Sequence, residues 1–242
     1  LQIHVDDGKL RATEECAEEL FKRMRAYKLI NLSSVEKQVE NKGIDFTGMA
    51  FTESRTGQTV DQDIYVKNKL KKLDTRHLRH HDPEEKLTGT DLANYGSAVG
   101  QCIWVLPTQC LWSYEVAYLS RFRAFPRVKH MKRLAAAIDG IKANPGRVFI
   151  PRFHRGAPLK LITVVDASAG EAADEPLKTR DHMCIAILLC SASEVGADHI
   201  LPTSGVKAAL ISWQSAGLQR ISHSSFDFEA ICAVASLDLV GN

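Results

Sequence analysis

The chain has no CxxC pair, no long apolar run, no internal repeat and almost no bias toward either charge. Its six cysteines (Cys16, Cys102, Cys110, Cys184, Cys190 and Cys232) fall at spacings that fit no zinc template. They read as free, mostly buried thiols of a reducing compartment, which points to a cytoplasmic or nuclear protein that is not secreted. No stretch approaches the roughly 20 apolar residues of a membrane span. The start lacks the charged-then-apolar order of a signal peptide, so no membrane partner is expected. Aromatic residues make up only 7%, and 15 glycines and 8 prolines among 242 residues are too few for collagen-like or low-complexity sequence. Lys and Arg number 31 against 29 Asp and Glu, a net charge of +2. Any nucleic-acid surface must therefore come from local clustering of charge.

What is present is ordinary globular composition, 45% hydrophobic and 25% charged. A chain of this length buries about 70–75% of its unfolded surface, enough for one large core or two smaller ones. The first residue is Leu1, not Met, which reads as a processed or truncated chain. Leu1, Ile3 and Val5 alternate and run into Asp6-Asp7-Gly8, the pattern of a strand, a tight acidic turn and a return strand. A helix is predicted from Thr13, with Glu14 and Glu15 at its start, Lys22, Arg23 and Arg25 at its end, and Ala17, Leu20, Phe21 and Met24 as one stripe.

Residues 44–51 suggest a strand or hairpin arm, and residues 60–143 read as mostly helix. Ile64, Val66, Leu70 and Leu73 lie among lysines. Leu92, Tyr95, Val99, Ile103 and Leu106 form a second stripe; Val128, Met131, Leu134, Ala135, Ile138 and Ile141 form a third, closed by Pro145-Gly146. Three β-rich runs follow at 159–165, 183–190 and 209–213, then a loop-like segment within 191–207 and helical spacing over 226–239. Strands followed by a helix suggest a second α/β or α+β unit beginning near residue 151.

Several residues could carry chemistry. Asp6 and Asp7 concentrate negative charge at a turn, and such hard oxygen ligands suit Mg²⁺; the same pair also fits a solvated turn. Asp166 closes a β-rich run beside small residues. Glu229 opens the last helical segment, where the helix dipole favours an acid, and Asp227 competes with it. Two basic stretches stand out. Residues 67–81 hold Lys67, Lys69, Lys71, Lys72, Arg76 and Arg79 with His77, His80 and His81, against Asp74 alone. Residues 121–133 hold Arg121, Arg123, Arg127, Lys129, Lys132 and Arg133 with no acid. Phosphate-backbone binding needs such stretches, although a solvated helix face has the same composition. Taken to be without a nearby Cys or acidic partner, the three histidines read as basic surface rather than a metal site.

Taken in order, these pieces resemble the polymerase region of a copia-type retrotransposon polyprotein. His4-Val5-Asp6-Asp7 is similar to the Tyr-Val-Asp-Asp turn of reverse transcriptases. Residues 43–49 (GIDFTGM) resemble the following "fLG" hairpin, and 60–70 (VDQDIYVKNKL) the thumb opening "lsQ..Yi..iL". Residues 94–122 (NYGSAVGQCIWVLPTQCLWSYEVAYLSRF) resemble "yRsavGsLlYl…tRPDi.yavs.LSrf", and residues 126–134 resemble "P…H..a.kRvl". Farther on, Val165-Asp166-Ala167-Ser168 resembles the "sDAdwA" strand of the attached RNase H domain. Residues 211–215 (ISWQS) resemble "iSWkSkkQ", and 224–230 (SSFDFEA) resemble "lSSteAEy". The departures are His4 in place of Tyr, Thr108-Gln109-Cys110-Leu111 in place of Thr-Arg-Pro-Asp, and an apparent insertion over 191–207.

The resemblance implies an α+β / α/β chain with a partial reverse-transcriptase palm over 1–58, a helical thumb and connection over 59–150, and a truncated RNase H-like domain over 151–242. It implies two-metal nucleotidyl transfer, with Asp6 as a Mg²⁺ ligand and Asp7 its charge-tuning neighbour, and two-metal cleavage of RNA–DNA hybrids at Asp166 and Glu229. The 43–49 hairpin would hold the primer end. Lys67, Lys69, Lys71 and Lys72 would follow the duplex backbone, with Arg121, Arg123, Lys129, Lys132 and Arg133 as a second set. The implied partners are an RNA/DNA template–primer or RNA–DNA hybrid and the rest of the retroelement polyprotein. The family's upstream palm aspartate and its later RNase H aspartate would lie before Leu1 and after Asn242, so both metal sites are expected to be incomplete here. The alternative is a decayed or repurposed retroelement remnant that binds nucleic acid without catalysis.

Overall fold

The computed structural model describes residues 2–4, 7–9, 12–26, 42–168, 182–195 and 205–217, the first two segments as backbone. Strands β1 (Gln2–His4) and β2 (Asp7–Lys9) pair antiparallel, with His4 opposite Asp7 and Gln2 opposite Lys9. The expected hairpin is present, but Asp7 and Gly8 belong to the return strand rather than to the turn. Helix α1 (Glu14–Ala26) begins where Thr13 caps it, the Cys16 amide donating to Thr13 Oγ1 at 3.4 Å. Its apolar stripe is only half-buried.

A four-stranded antiparallel sheet follows, in the order β3 (Gly43–Phe46), β4 (Met49–Glu53), β5 (Gly57–Asp61) and β6 (Arg147–Pro151). The β3–β4 connection is Thr47-Gly48, with φ of 54° and 74°, the two positive angles of a type I′ hairpin turn. Val60 and Asp61, expected to open a helix, instead end β5. That strand pairs on its other side with β6, which enters directly after the Pro145-Gly146 stop. The sheet thus takes residues from both sides of positions 58 and 150. Gly57 is required at the β5–β6 contact, because a Cβ there would lie 2.3 Å from the Ile150 carbonyl oxygen.

Between β5 and β6 the chain builds its main core from α2 (Asp63–Asn68), α3 (Gly89–Val105), α4 (Ser113–Ser120) and α5 (Val128–Ala143). On α5 the expected stripe is buried, with Ala137 joining it and Ala135 only half-buried. On α3 the buried face is turned relative to expectation. Tyr95, Ala98, Val99, Cys102 and Val105 are inside, while Leu92 and Ile103 are 36% and 47% exposed. The small Ala98 and Cys102 allow close helix approach, so they displace the larger residues outward. The Tyr95 hydroxyl donates to the Leu119 carbonyl at 2.7 Å, satisfying the polar tip of a fully buried ring.

Residues 69–88 are not the helix their lysine-and-leucine pattern suggested. Apart from one 3-10 turn at Arg76–Leu78 they are irregular. Lys142 of α5 explains the early stop: its ammonium donates to the Val66 and Leu70 carbonyls, each at 2.7 Å. A cation on those carbonyls satisfies the open end of α2.

The last unit is an antiparallel meander of β7 (Leu159–Ser168), β8 (His182–Ser191) and β9 (Ala208–Gly217). A register shift falls between Ile187 and Leu188. β9 lies against α4 and β6, which joins this sheet to the helical core. Of the segment 191–207, Ala192–Glu194 is a 3-10 turn, and residues 196–204 lie outside the described residues, as does the helical spacing expected over 226–239. Helices combined with antiparallel sheets make the chain α+β. Among the described residues, no helix is long and apolar enough to cross a membrane.

Candidate nucleic-acid interface

The most concentrated candidate surface forms where the β3–β4 turn, α2 and the end of α3 meet. Gln62, buried just ahead of α2, donates through Nε2 to the Trp104 carbonyl at 3.1 Å and accepts from Thr108 Oγ1 at 3.0 Å. That pair of bonds fixes the end of α3 against the start of α2. The Tyr65 ring lies 6.4 Å from the Trp104 ring at 47°. The indole also approaches Gly48, whose Cβ, if present, would sit 3.7 Å from it. Held between these neighbours, Trp104 still keeps 47% of its surface in solvent.

Three lysines follow Tyr65 closely in sequence. Lys67 and Lys69 follow Tyr65 within one turn, and the Lys71 amide donates to Gln101 Oε1 at 3.0 Å, one turn before Trp104. All three side chains are exposed. Among the described residues, none of the three has a carboxylate within ion-pair distance. Lys72 differs, pairing with Asp139 at 2.9 Å.

The second basic stretch is placed otherwise. Arg127 pairs with Glu84, and Lys129 reaches the same carboxylate at 2.9 Å. These bonds hold the Glu84 carboxyl below the usual carboxylate range. Arg133 grips Glu115 at 2.5 and 2.7 Å and lies 4.3 Å over the Tyr118 ring. Arg121 points to β8. Arg123 is exposed and Lys132 half-buried, neither with an acidic partner among the described residues. The histidines do have acids beside them, contrary to expectation: His77 meets Asp91 and His81 meets Glu85, each at 2.9 Å. Because the two carboxylates are different, the rings are not drawn into one cluster.

Of the four carboxylates expected to bind metal, Asp6 and Glu229 lie outside the described residues, and Asp7 is placed only as the first backbone position of β2. Asp166 lies on β7, two residues before the strand's end rather than at it. It is exposed and opposite Cys184, which in turn is opposite Ser215 on β9. Residues directly opposed in antiparallel strands share a face, so Asp166, Cys184 and Ser215 form one row. The Cys184 and Ser215 side chains touch at 3.4 Å.

Beside that row is a site that sequence reasoning missed. His182, only 5% exposed, accepts at Nδ1 from Arg121 Nη2 at 2.5 Å and bonds through Nε2 to Ser215 Oγ at 2.6 Å. The Tyr114 ring meets it edge-on at 4.6 Å. A guanidinium only donates, so Nδ1 must carry the lone pair and Nε2 the hydrogen. Burial first, and the Arg121 charge second, pull the imidazole pKa down to about 4. His182 therefore donates to Ser215 and cannot take its proton, which excludes a serine–histidine nucleophile pair in this geometry. No local pattern announces the site, because His182 simply begins an apolar run.

The Mg²⁺ sites implied by the resemblance need several oxygen ligands each. Among the described residues, Asp166 is the one carboxylate placed from those sets, and no three His, Cys, Asp or Glu side chains gather to hold an ion. A single carboxylate leaves a magnesium ion mostly in water. No family model, curated protein or solved structure matches the chain.

Proposed function

We propose that this chain is a nucleic-acid-binding segment of a retrotransposon RNA-directed DNA polymerase with attached RNase H, and that it engages a template–primer or RNA–DNA hybrid through the α2–α3 face. The observation that carries the reading is the set of Lys67, Lys69 and Lys71, exposed and without carboxylate partners among the described residues, on the segment that starts at α2. A near-neutral chain with exposed lysines that lack carboxylate partners among the described residues has the electrostatics of phosphate binding. The order of parts supports the same reading: an acidic hairpin, a second hairpin, a helical unit, then strands with Asp166 on the first of them.

Fluorescence anisotropy of a labelled RNA–DNA hybrid across a salt series tests the binding. Affinity should fall steeply with salt, and replacing Lys67, Lys69 and Lys71 together by Gln should reduce the slope by about 2 to 3. Absent binding, or a slope untouched by the triple substitution, would overturn the assignment. Full nucleotidyl transfer would need ligands besides those placed here, so the isolated chain is expected neither to extend a primer nor to cleave a hybrid efficiently. Templated extension that Asp6→Asn abolishes would reverse that expectation.

A second reading, a remnant that binds without catalysis, is favoured by residues 108 and 109. Where the family carries Arg-Pro-Asp after Thr, this chain buries Gln109 at 2% exposure beside Thr108 at 1%. These positions now serve the interior of the helical unit.

A further inference from the structure

The α2–α3 face carries more than charge, and what it adds points to the form of nucleic acid it takes. Resting on the binding proposed above, we infer that this face receives a single strand, with an unpaired base stacked on Trp104 and the neighbouring phosphates on Lys67, Lys69 and Lys71. Trp104 offers a free ring surface, 47% exposed, yet it is held in place by Tyr65 and the hairpin tip at Gly48. A pre-positioned ring loses little rotamer freedom when a ligand stacks on it. One helical turn earlier, a side chain added at Gly100 would meet no heavy atom within 4 Å, so the helix surface there is open to an approaching backbone. Ile103, the preceding residue, is likewise 47% exposed and adds apolar surface to this end of α3.

Lys67 and Lys69 follow Tyr65 at α2 and its C-terminal cap, and the Lys71 amide is tied to Gln101 of α3, so the elements that present the ring also carry exposed lysines without acidic partners among the described residues. A base inside a duplex has both faces covered by its neighbours, so only an unpaired base can use the platform. Base–aromatic stacking with lysines along the backbone is the general recipe for single-strand binding. An acidic peptide would satisfy the lysines but would gain nothing from the half-exposed indole.

The test compares a short oligothymidine with a duplex of the same length, using the full chain. Oligothymidine should bind tighter, and Trp104→Ala should weaken it about 10-fold while leaving the salt slope unchanged. Trp104→Phe should keep most of the affinity, which separates loss of stacking from loss of folding. In a Trp112→Phe, Trp213→Phe background, oligothymidine should quench the remaining Trp104 fluorescence. Tighter duplex binding overturns the inference, as does an equal effect of Trp104→Ala on both ligands, an absence of quenching, or equally strong competition by a polyglutamate peptide. If oligothymidine binding ignores Trp104→Ala while duplex binding keeps its lysine-dependent slope, the inference fails while the proposed function stands. If neither ligand binds, both fail.

Discussion

His182 and Arg121 constrain each other's chemistry. Arg121 was expected on a phosphate-binding surface, but its guanidinium instead donates to the buried imidazole and fixes the tautomer that donates to Ser215. The folded-state pKa near 4 lies below the ordinary histidine value of 6.5. The unfolded chain therefore binds the proton more readily between those two values. The stability that depends on neutral His182 is complete above about pH 6.5 and is lost as pH falls toward 4. Protonation removes the acceptor that Arg121 uses and places two cations together. Urea denaturation at pH 7 and pH 4.5 should show a loss on the order of 2 kcal/mol attributable to this residue. His182→Gln cannot titrate and should remove that part of the pH dependence. An identical acid loss in the variant would refute the account.

At the scale of elements, backbone shape and end-capping give separable effects. Gly48 has φ of 74° but room for a Cβ, while a Cβ at Gly57 would meet the Ile150 carbonyl oxygen at 2.3 Å. Gly48→Ala should therefore cost about 1 kcal/mol through conformation alone. Gly57→Ala should cost clearly more, because β5 and β6 must separate; thermal melts of the two variants rank the effects, and the reverse order would count against the sheet register. Lys142→Met should destabilise by about 1–3 kcal/mol by leaving the Val66 and Leu70 carbonyls without their cation, and hydrogen exchange should rise first in α2. No change in α2 exchange would assign the end of that helix to another cause.

The same elements show what a linear reading can reach. The Thr47-Gly48 turn, the α5 stripe and the three late strands were legible because their signals are local: period, turn residues, and a Pro-Gly stop. The face of α3 was misjudged because apolar size was taken for burial, whereas Ala98 and Cys102 make the close contact. The end of α2, the β5–β6 pairing and the neutralisation of Arg127, Lys129 and Arg133 depend on partners distant in sequence. No window of neighbouring residues contains Lys142 with Val66, or Glu84 with Arg127. Of the expected site, Asp166 and the lysines of 67–71 were nameable from sequence alone, but the His182 cluster was not.

At the scale of the whole molecule, the question is whether its basic residues serve one surface or two purposes. Lys67, Lys69 and Lys71 face solvent, while Arg121 bridges from the end of α4 to β8, beside the contact between α4 and β9. If that division is right, substitutions in the two groups should dissociate affinity from stability. Replacing the three lysines by Gln should flatten the salt dependence of binding and leave the melting temperature nearly unchanged, since exposed lysines without ion pairs contribute little to folding. Arg121→Ala should do the reverse. It leaves His182 Nδ1 without its donor in a buried position, which lowers the melting temperature and raises hydrogen exchange in β8 and β9, while the salt slope for an RNA–DNA hybrid stays the same. The decisive contrary result is an Arg121→Ala chain that melts normally but loses about one unit of slope. That result would return Arg121 to the phosphate-binding surface and make the bridge to His182 incidental.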